Sequence, residues 1–101
     1  MSEVRETAHF SDWIRSLRDL RAIAKVDARI GRLRLGNFGD ARSVGDGVSE
    51  LRIDYGPGYR VYFTRRGETV VILLGGGDKG SQARDIERAK AVARDLKEQP
   101  P

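Results

Sequence analysis

Two hydrophobic periods divide this chain, a helical one before residue 36 and a period of two after residue 47, and that switch limits the fold more than any other feature. In the first part Phe10, Trp13, Ile14 and Leu17 fall on one helical face. Leu20, Ile23, Val26, Ile30 and Leu33 then repeat at intervals of 3, 3, 4 and 3, an apolar stripe along a second helix over residues 20–35. Thr7 and Asp19 stand where N-caps belong, because a short side-chain oxygen there accepts an amide hydrogen that the helix leaves unpaired. Gly36 follows as a stop. The two helices are expected to form an antiparallel pair.

Residues 36–47 carry Gly36, Gly39, Gly45 and Gly47 and read mostly as loop. Beyond them Leu51, Ile53 and Tyr55 alternate with Glu50, Arg52 and Asp54. Gly56-Pro57-Gly58 turns the chain, and Tyr59, Val61 and Phe63 then alternate with Arg60, Tyr62 and Thr64. Arg66-Gly67 makes a second turn. Thr69–Leu74 is apolar on both faces, as in a strand covered on both sides, and Gly75-Gly76-Gly77 is expected to end it. Ile86, Ala89, Ala93 and Leu96 restore helical spacing over residues 81–97, with Ser81 as N-cap and Glu98–Pro101 as a frayed tail. Residues 3–7 have the pattern of a short first strand. The whole is an α+β arrangement: an N-terminal helical hairpin packed on a small antiparallel sheet, with a C-terminal helix. All 101 residues read as one domain.

Composition removes several chemistries. There is no cysteine and one histidine, His9, so disulfides, thiol nucleophiles and thiolate or histidine-cluster metal sites drop out. No apolar run approaches the ~20 residues that span a bilayer, and MSEVRETAH lacks the pattern of a signal peptide. A soluble cytoplasmic protein with no membrane partner is expected. Lys plus Arg is 19 against 15 for Asp plus Glu, a net charge of +4, and 15 of the cations are arginine. Arginine's planar fork matches phosphate, so the balance leans towards polyanion binding, although a GC-rich coding sequence would also favour arginine.

Three features are candidates for chemistry. Glu50, Arg52, Arg60 and Tyr62 project from adjacent strands on the side opposite Leu51, Ile53, Val61 and Phe63. That face suits either a phosphodiester, held by guanidinium groups with the tyrosine stacked on a base, or a solvated surface of cross-strand Glu–Arg pairs. The segment GGGDKGSQ at 75–82 does not match GxxxxGK[ST], and the GxGxxG spacing of Gly75, Gly77 and Gly80 does not sit in a parallel βαβ unit. Its glycines permit a close backbone approach, or a loop lying against a flat ligand with Lys79 pointing at it. Finally, Arg18, Arg21, Lys25, Arg29 and Arg32 form a basic stripe opposite the apolar one on the second helix. It fits RNA or an acidic partner, or a solvated face. His9 reads as a capping-turn residue, and Trp13 as core.

Residues 46–90, DGVSELRIDYGPGYRVYFTRRGETVVILLGGGDKGSQARDIERAK, resemble the RelE/ParE superfamily of toxin–antitoxin toxins. They are most similar to its phage-derived, HigB-like "addiction module killer protein" branch. FSDWIRSLRD and ARIGRLRLGNFGDARSVGDGVSELR extend the resemblance over the first half. It implies a single RelE-like toxin domain over residues 1–101 and a ribosome-dependent mRNA endoribonuclease that needs no metal or cofactor. The 2′-hydroxyl attacks the neighbouring phosphate and leaves a 2′,3′-cyclic phosphate and a 5′-hydroxyl. It implies catalytic cations at Arg52, Arg60 and Lys79; the basic stripe, read from its spacing, is expected to bind RNA through Arg21, Lys25, Arg29 and Arg32. Glu50 stands where such enzymes carry a basic residue, their C-terminal tyrosine falls near Asp85, and the HigB-type histidines are absent. Glu50 and Tyr62 are left as the candidates for the general base. The implied partners are the ribosome, mRNA and an antitoxin, usually a helix-turn-helix protein encoded alongside. The alternatives are a ParE-type toxin acting on DNA gyrase and an inactive, antitoxin-binding member.

Overall fold

A computed structural model describes residues 1–98. Strand β1 spans Glu3–Glu6, helix α1 Ala8–Ser16 and helix α2 Leu20–Arg34. Strands β2 (Arg42–Gly45), β3 (Val48–Ile53), β4 (Tyr59–Arg66) and β5 (Val70–Asp78) follow. A 3-10 turn at Lys79–Ser81 leads into helix α3, Gln82–Glu98. The sheet order is β1-β5-β4-β3-β2. The meander is antiparallel as expected, and β1 adds a parallel edge against β5. No helix among the described residues is long and apolar enough to cross a membrane.

Strand alternation gives the sheet two apolar faces, and each has its own cover. Leu51, Ile53, Val61, Phe63, Val71 and Leu73 face Phe10, Val26, Ile30 and Leu33 of α1 and α2. On the opposite side Val48, Tyr62, Ile72 and Leu74 face Ala89, Val92 and Ala93 of α3. The expectation of a strand covered on both sides is met by β5. Thr7 and Asp19 cap their helices, with Thr7 Oγ1 accepting from Phe10 N and Asp19 Oδ1 from Arg21 N and Ala22 N. Both helices lean on the sheet, α1 on β5 and α2 on β1 and β3, more than on each other.

Several expectations need correction. Residues 42–45 form β2 where loop was expected, because Arg42 and Ser43 pair with Glu50 and Ser49 of β3. Leu20 opens the α2 stripe in the sequence but is 79% exposed, because the buried face of α2 begins instead at Ala22 and continues through Val26, Ile30 and Leu33. The cap before α3 is Asp78, whose carboxylate accepts from Gly80 N and Ser81 N; Ser81 answers it from inside the capping box. Glu98 still belongs to α3, and residues 99–101 of the expected tail lie outside the described residues. Finally, Gly75–Gly77 do not end β5 but continue it, paired with β4. A Cβ on Gly76 would land in the indole ring of Trp13, and one on Gly77 on the carboxylate of Asp85. The glycine run is therefore the floor on which a helix side chain from each face of the sheet rests.

Trp13 is half-buried, tilted against Phe10 at 5.8 Å and edge-on to Tyr59 at 6.4 Å between ring centroids. Its partial exposure puts Trp13→Ala at the low end of the usual range for aromatic truncation, about 3 kcal/mol. At roughly 4–8 °C per kcal/mol for a domain of this size, the melting temperature should fall by about 12 °C or more. Thermal melts of the two proteins check this, and a shift of only a few degrees would make Trp13 a surface residue.

Candidate functional site

The turn at Gly56–Gly58 sets the strand register, and the register places Arg52 directly across from Arg60 and Glu50 across from Tyr62. Two cations side by side on a sheet repel each other. Glu50 offsets this from beneath. Its Oε1 accepts from Arg52 Nε at 3.1 Å and from Arg60 Nη1 at 3.0 Å. Its Oε2 accepts from Tyr62 Oη at 3.2 Å and from Gln82 Nε2 of α3 at 2.9 Å. The Glu50 side chain is 0% exposed. Burial by itself would raise its pKa. The donors Gln82 and Arg52, the Arg60 charge and the Tyr62 hydroxyl outweigh that and hold the carboxyl below its ordinary value. The Tyr62 phenol moves up, chiefly through burial and then through the Glu50 charge beside it.

This buried hub orients the two arginines to different degrees. Arg60 is 7% exposed, and its Nε is buried with no hydrogen-bond partner among the described residues. Arg52 keeps 43% of its side chain exposed. Both line a cavity of about 360 Å³ with Lys79, which follows β5. Arg29 reaches the same cavity from α2. Its Nη1 donates to the Arg52 carbonyl at 2.6 Å, and its Nη2 pairs with Asp40. The Arg29 guanidinium, by hydrogen bond and charge, holds the Asp40 carboxyl below its ordinary range. A second cavity of about 210 Å³, lined by Lys25, Arg29 and Arg32, adjoins the first and shares Arg29, Ile53 and Asp54 with it. Six cations thus border one continuous trough.

The structure brings Arg52, Arg60 and Lys79 together. It puts Glu50 and Tyr62 below them, out of reach of solvent. The expected cross-strand Glu–Arg pairing is present between Glu50 and Arg60, and Arg52 stays partly exposed, but α3 covers Tyr62, which at 0% exposure is no stacking platform. The basic stripe of α2 divides. Arg21, Lys25 and Arg32 are exposed, whereas Arg29 is held by Asp40 and the β3 backbone. Lys25 lies over the Tyr55 ring at 5.3 Å. His9 is exposed and lines a separate cavity with Asp12, Trp13 and Arg88. Sequence reasoning missed Gln82 and Asp40, for which periodicity holds no signal. It also passed over Asp54, although that residue continues the polar alternation of Glu50 and Arg52. Among the described residues no three His, Asp or Glu side chains gather as a metal site.

A family model described as Phage derived protein Gp49-like (DUF891) matches residues 12–98. A protein of Haemophilus influenzae, named only as an uncharacterized protein, is 52% identical over 94 residues. That similarity covers 93% of this chain and 95% of the other. Both similarities take in β3, β4 and the glycine end of β5, and so every wall of the basic trough.

Proposed function

The chain belongs to the phage-derived Gp49-like protein family, and from that premise we propose that it is the toxin of a toxin–antitoxin pair, of the HigB-like RelE/ParE type. It acts in the cytoplasm as a ribosome-dependent mRNA endoribonuclease and is silenced by an antitoxin, a helix-turn-helix protein encoded alongside. The observation that carries this reading is the convergence of Arg52, Arg60 and Lys79 on one cavity over a buried carboxylate, with the Arg60 Nε left without an acceptor.

A buried guanidinium N–H without a partner is costly and asks for an acceptor. A phosphate oxygen in the cavity supplies one. Attack by a 2′-hydroxyl builds a phosphorane with extra negative charge. Fixed donors stabilise it more than they stabilise the ground state, which is what accelerates a reaction. In this reading Arg60 and Arg52 hold the non-bridging oxygens and Lys79 stands at the exposed rim for the leaving oxygen. Glu50 and Tyr62, proposed from sequence as bases, become positioning residues, because both Glu50 oxygens are engaged by four donors and the Tyr62 hydroxyl is spent on Glu50.

Expression of the chain without its antitoxin, with mRNA 5′ ends mapped, tests the reading. New ends inside coding sequences together with growth arrest are expected. Arrest with no new ends would replace the nuclease with a gyrase-type toxin, and no arrest at all would leave an antitoxin-binding protein.

The exposed cations of α2 should serve binding and not bond cleavage. Changing Arg21, Lys25 and Arg32 together to Glu, and sparing Arg29 because the fold uses it, should weaken ribosome association. At roughly 0.7 per phosphate contact for single strands, three lost contacts flatten the slope of log affinity against log salt by about 2. Co-sedimentation with ribosomes at several salt concentrations measures that slope. An unchanged slope would remove the stripe from RNA recognition.

A further inference from the structure

The proposed reaction needs a group to take the proton from the attacking 2′-hydroxyl, and the two sequence candidates cannot meet it. Glu50 is 0% exposed with four donors on its two oxygens. Tyr62 is equally buried and spends its hydroxyl on Glu50. Two other carboxylates line the cavity. Asp40 is engaged by the Arg29 guanidinium. Asp54 is exposed and makes no ion pair or side-chain hydrogen bond with any described residue.

The placement of Asp54 is also specific. It follows the last residue of β3, two positions beyond Arg52, and lines the same cavity as Arg52. Its backbone is the centre of a tight turn in which Tyr55 N donates to the Ile53 carbonyl at 2.9 Å. It stands on the wall shared by the two cavities. An RNA strand running from the α2 cations to Arg60 therefore passes it.

Resting on the function proposed above, we propose that Asp54 is the general base of the cleavage. Its carboxylate takes the 2′-hydroxyl proton as the O2′–P bond forms. The P–O5′ bond breaks, and the departing O5′ takes a proton from the Lys79 ammonium. The products are a 2′,3′-cyclic phosphate and a 5′-hydroxyl, and both side chains recover their protonation by exchange with water. Arg52 and Arg60 carry the phosphorane charge between the two proton transfers. Asp40 and Arg29 remain paired at the mouth.

Single-turnover cleavage of ribosome-bound mRNA by the full-length protein tests this. Asp54→Asn keeps size and removes the proton acceptor. The variant should cleave about 10²–10⁴-fold more slowly, while its melting temperature and ribosome co-sedimentation stay at wild-type values. Asp54→Glu should recover part of the rate. A substrate whose scissile 5′-oxygen is replaced by sulfur needs no acid for departure. It should restore Lys79→Ala and leave Asp54→Asn slow, a split that a purely structural or electrostatic role for Asp54 would not produce. If Asp54→Asn cleaves within about threefold of wild type, or if the sulfur substrate rescues it, Asp54 is not the base while the nuclease reading stands. If the wild-type protein produces no new ends, the nuclease reading itself falls and takes the base with it.

Discussion

Arg60→Ala is expected to abolish mRNA cleavage and growth arrest. Removing one preorganised donor from a developing oxyanion typically costs ~10²–10³ in rate. Arg60 is the most enclosed cation of the trough, at 7% exposure, where water screens least. The substitution also touches the fold, because Arg60 Nη1 lies 3.0 Å from the buried Glu50 carboxylate. Breaking a buried ion pair costs ~3–5 kcal/mol when the remaining charge is left alone. Here Arg52, Tyr62 and Gln82 still bond Glu50, so the cost should fall below that range. Arg60→Lys keeps the charge and loses the fork, so it should retain most of the stability and only part of the activity. Thermal melts and 5′-end maps of both variants separate the two effects. A folded Arg60→Ala protein that still makes new ends would place the active site elsewhere.

Glu50→Ala should be the most destabilising single change in the molecule. It removes the acceptor shared by β3, β4 and α3 and leaves the buried Arg60 guanidinium with no counter-charge. An uncompensated buried charge costs ~3–5 kcal/mol, against a total of about 5–15 kcal/mol for a domain. Arg52 and Arg60 would then face each other unrelieved. Glu50→Gln keeps the volume and isolates the charge. The folded-state pKa of Glu50 lies below its ordinary value of about 4.3. Its ionisation therefore adds stability that is fully present above the unfolded-state pKa and is lost as the pH falls through the lower, folded-state value. Between those two pH values wild type should lose melting temperature faster than Glu50→Gln. Melts across pH 3–6 measure this, and parallel curves would mean that Glu50 is not held ionised by its donors.

The pattern of side chains along the chain determined the elements other than β2, the caps at Thr7 and Asp19, and the pairing of Arg52 with Arg60 across Gly56–Gly58. These are decided within a turn or a hairpin, where period and backbone preference act over a few residues. The identity of the three cations that meet in one cavity was likewise legible, through the resemblance. Three things were not. Glu50 and Tyr62 look like members of an exposed polar face until α3, which begins some thirty residues after Glu50, packs across that face and brings Gln82 to the carboxylate. Arg29 looks like one more cation of a helical stripe until Asp40 and the Arg52 carbonyl capture it. The three glycines look like the end of a strand until Trp13 and Asp85 come to rest on them. In each case the deciding neighbour comes from another element of the fold. Burial is a property of what covers a surface, and local spacing carries no record of the cover. The period of two put these groups on one face of the sheet, and only the docking of α2 and α3 decided which of them would be buried and which would face the trough.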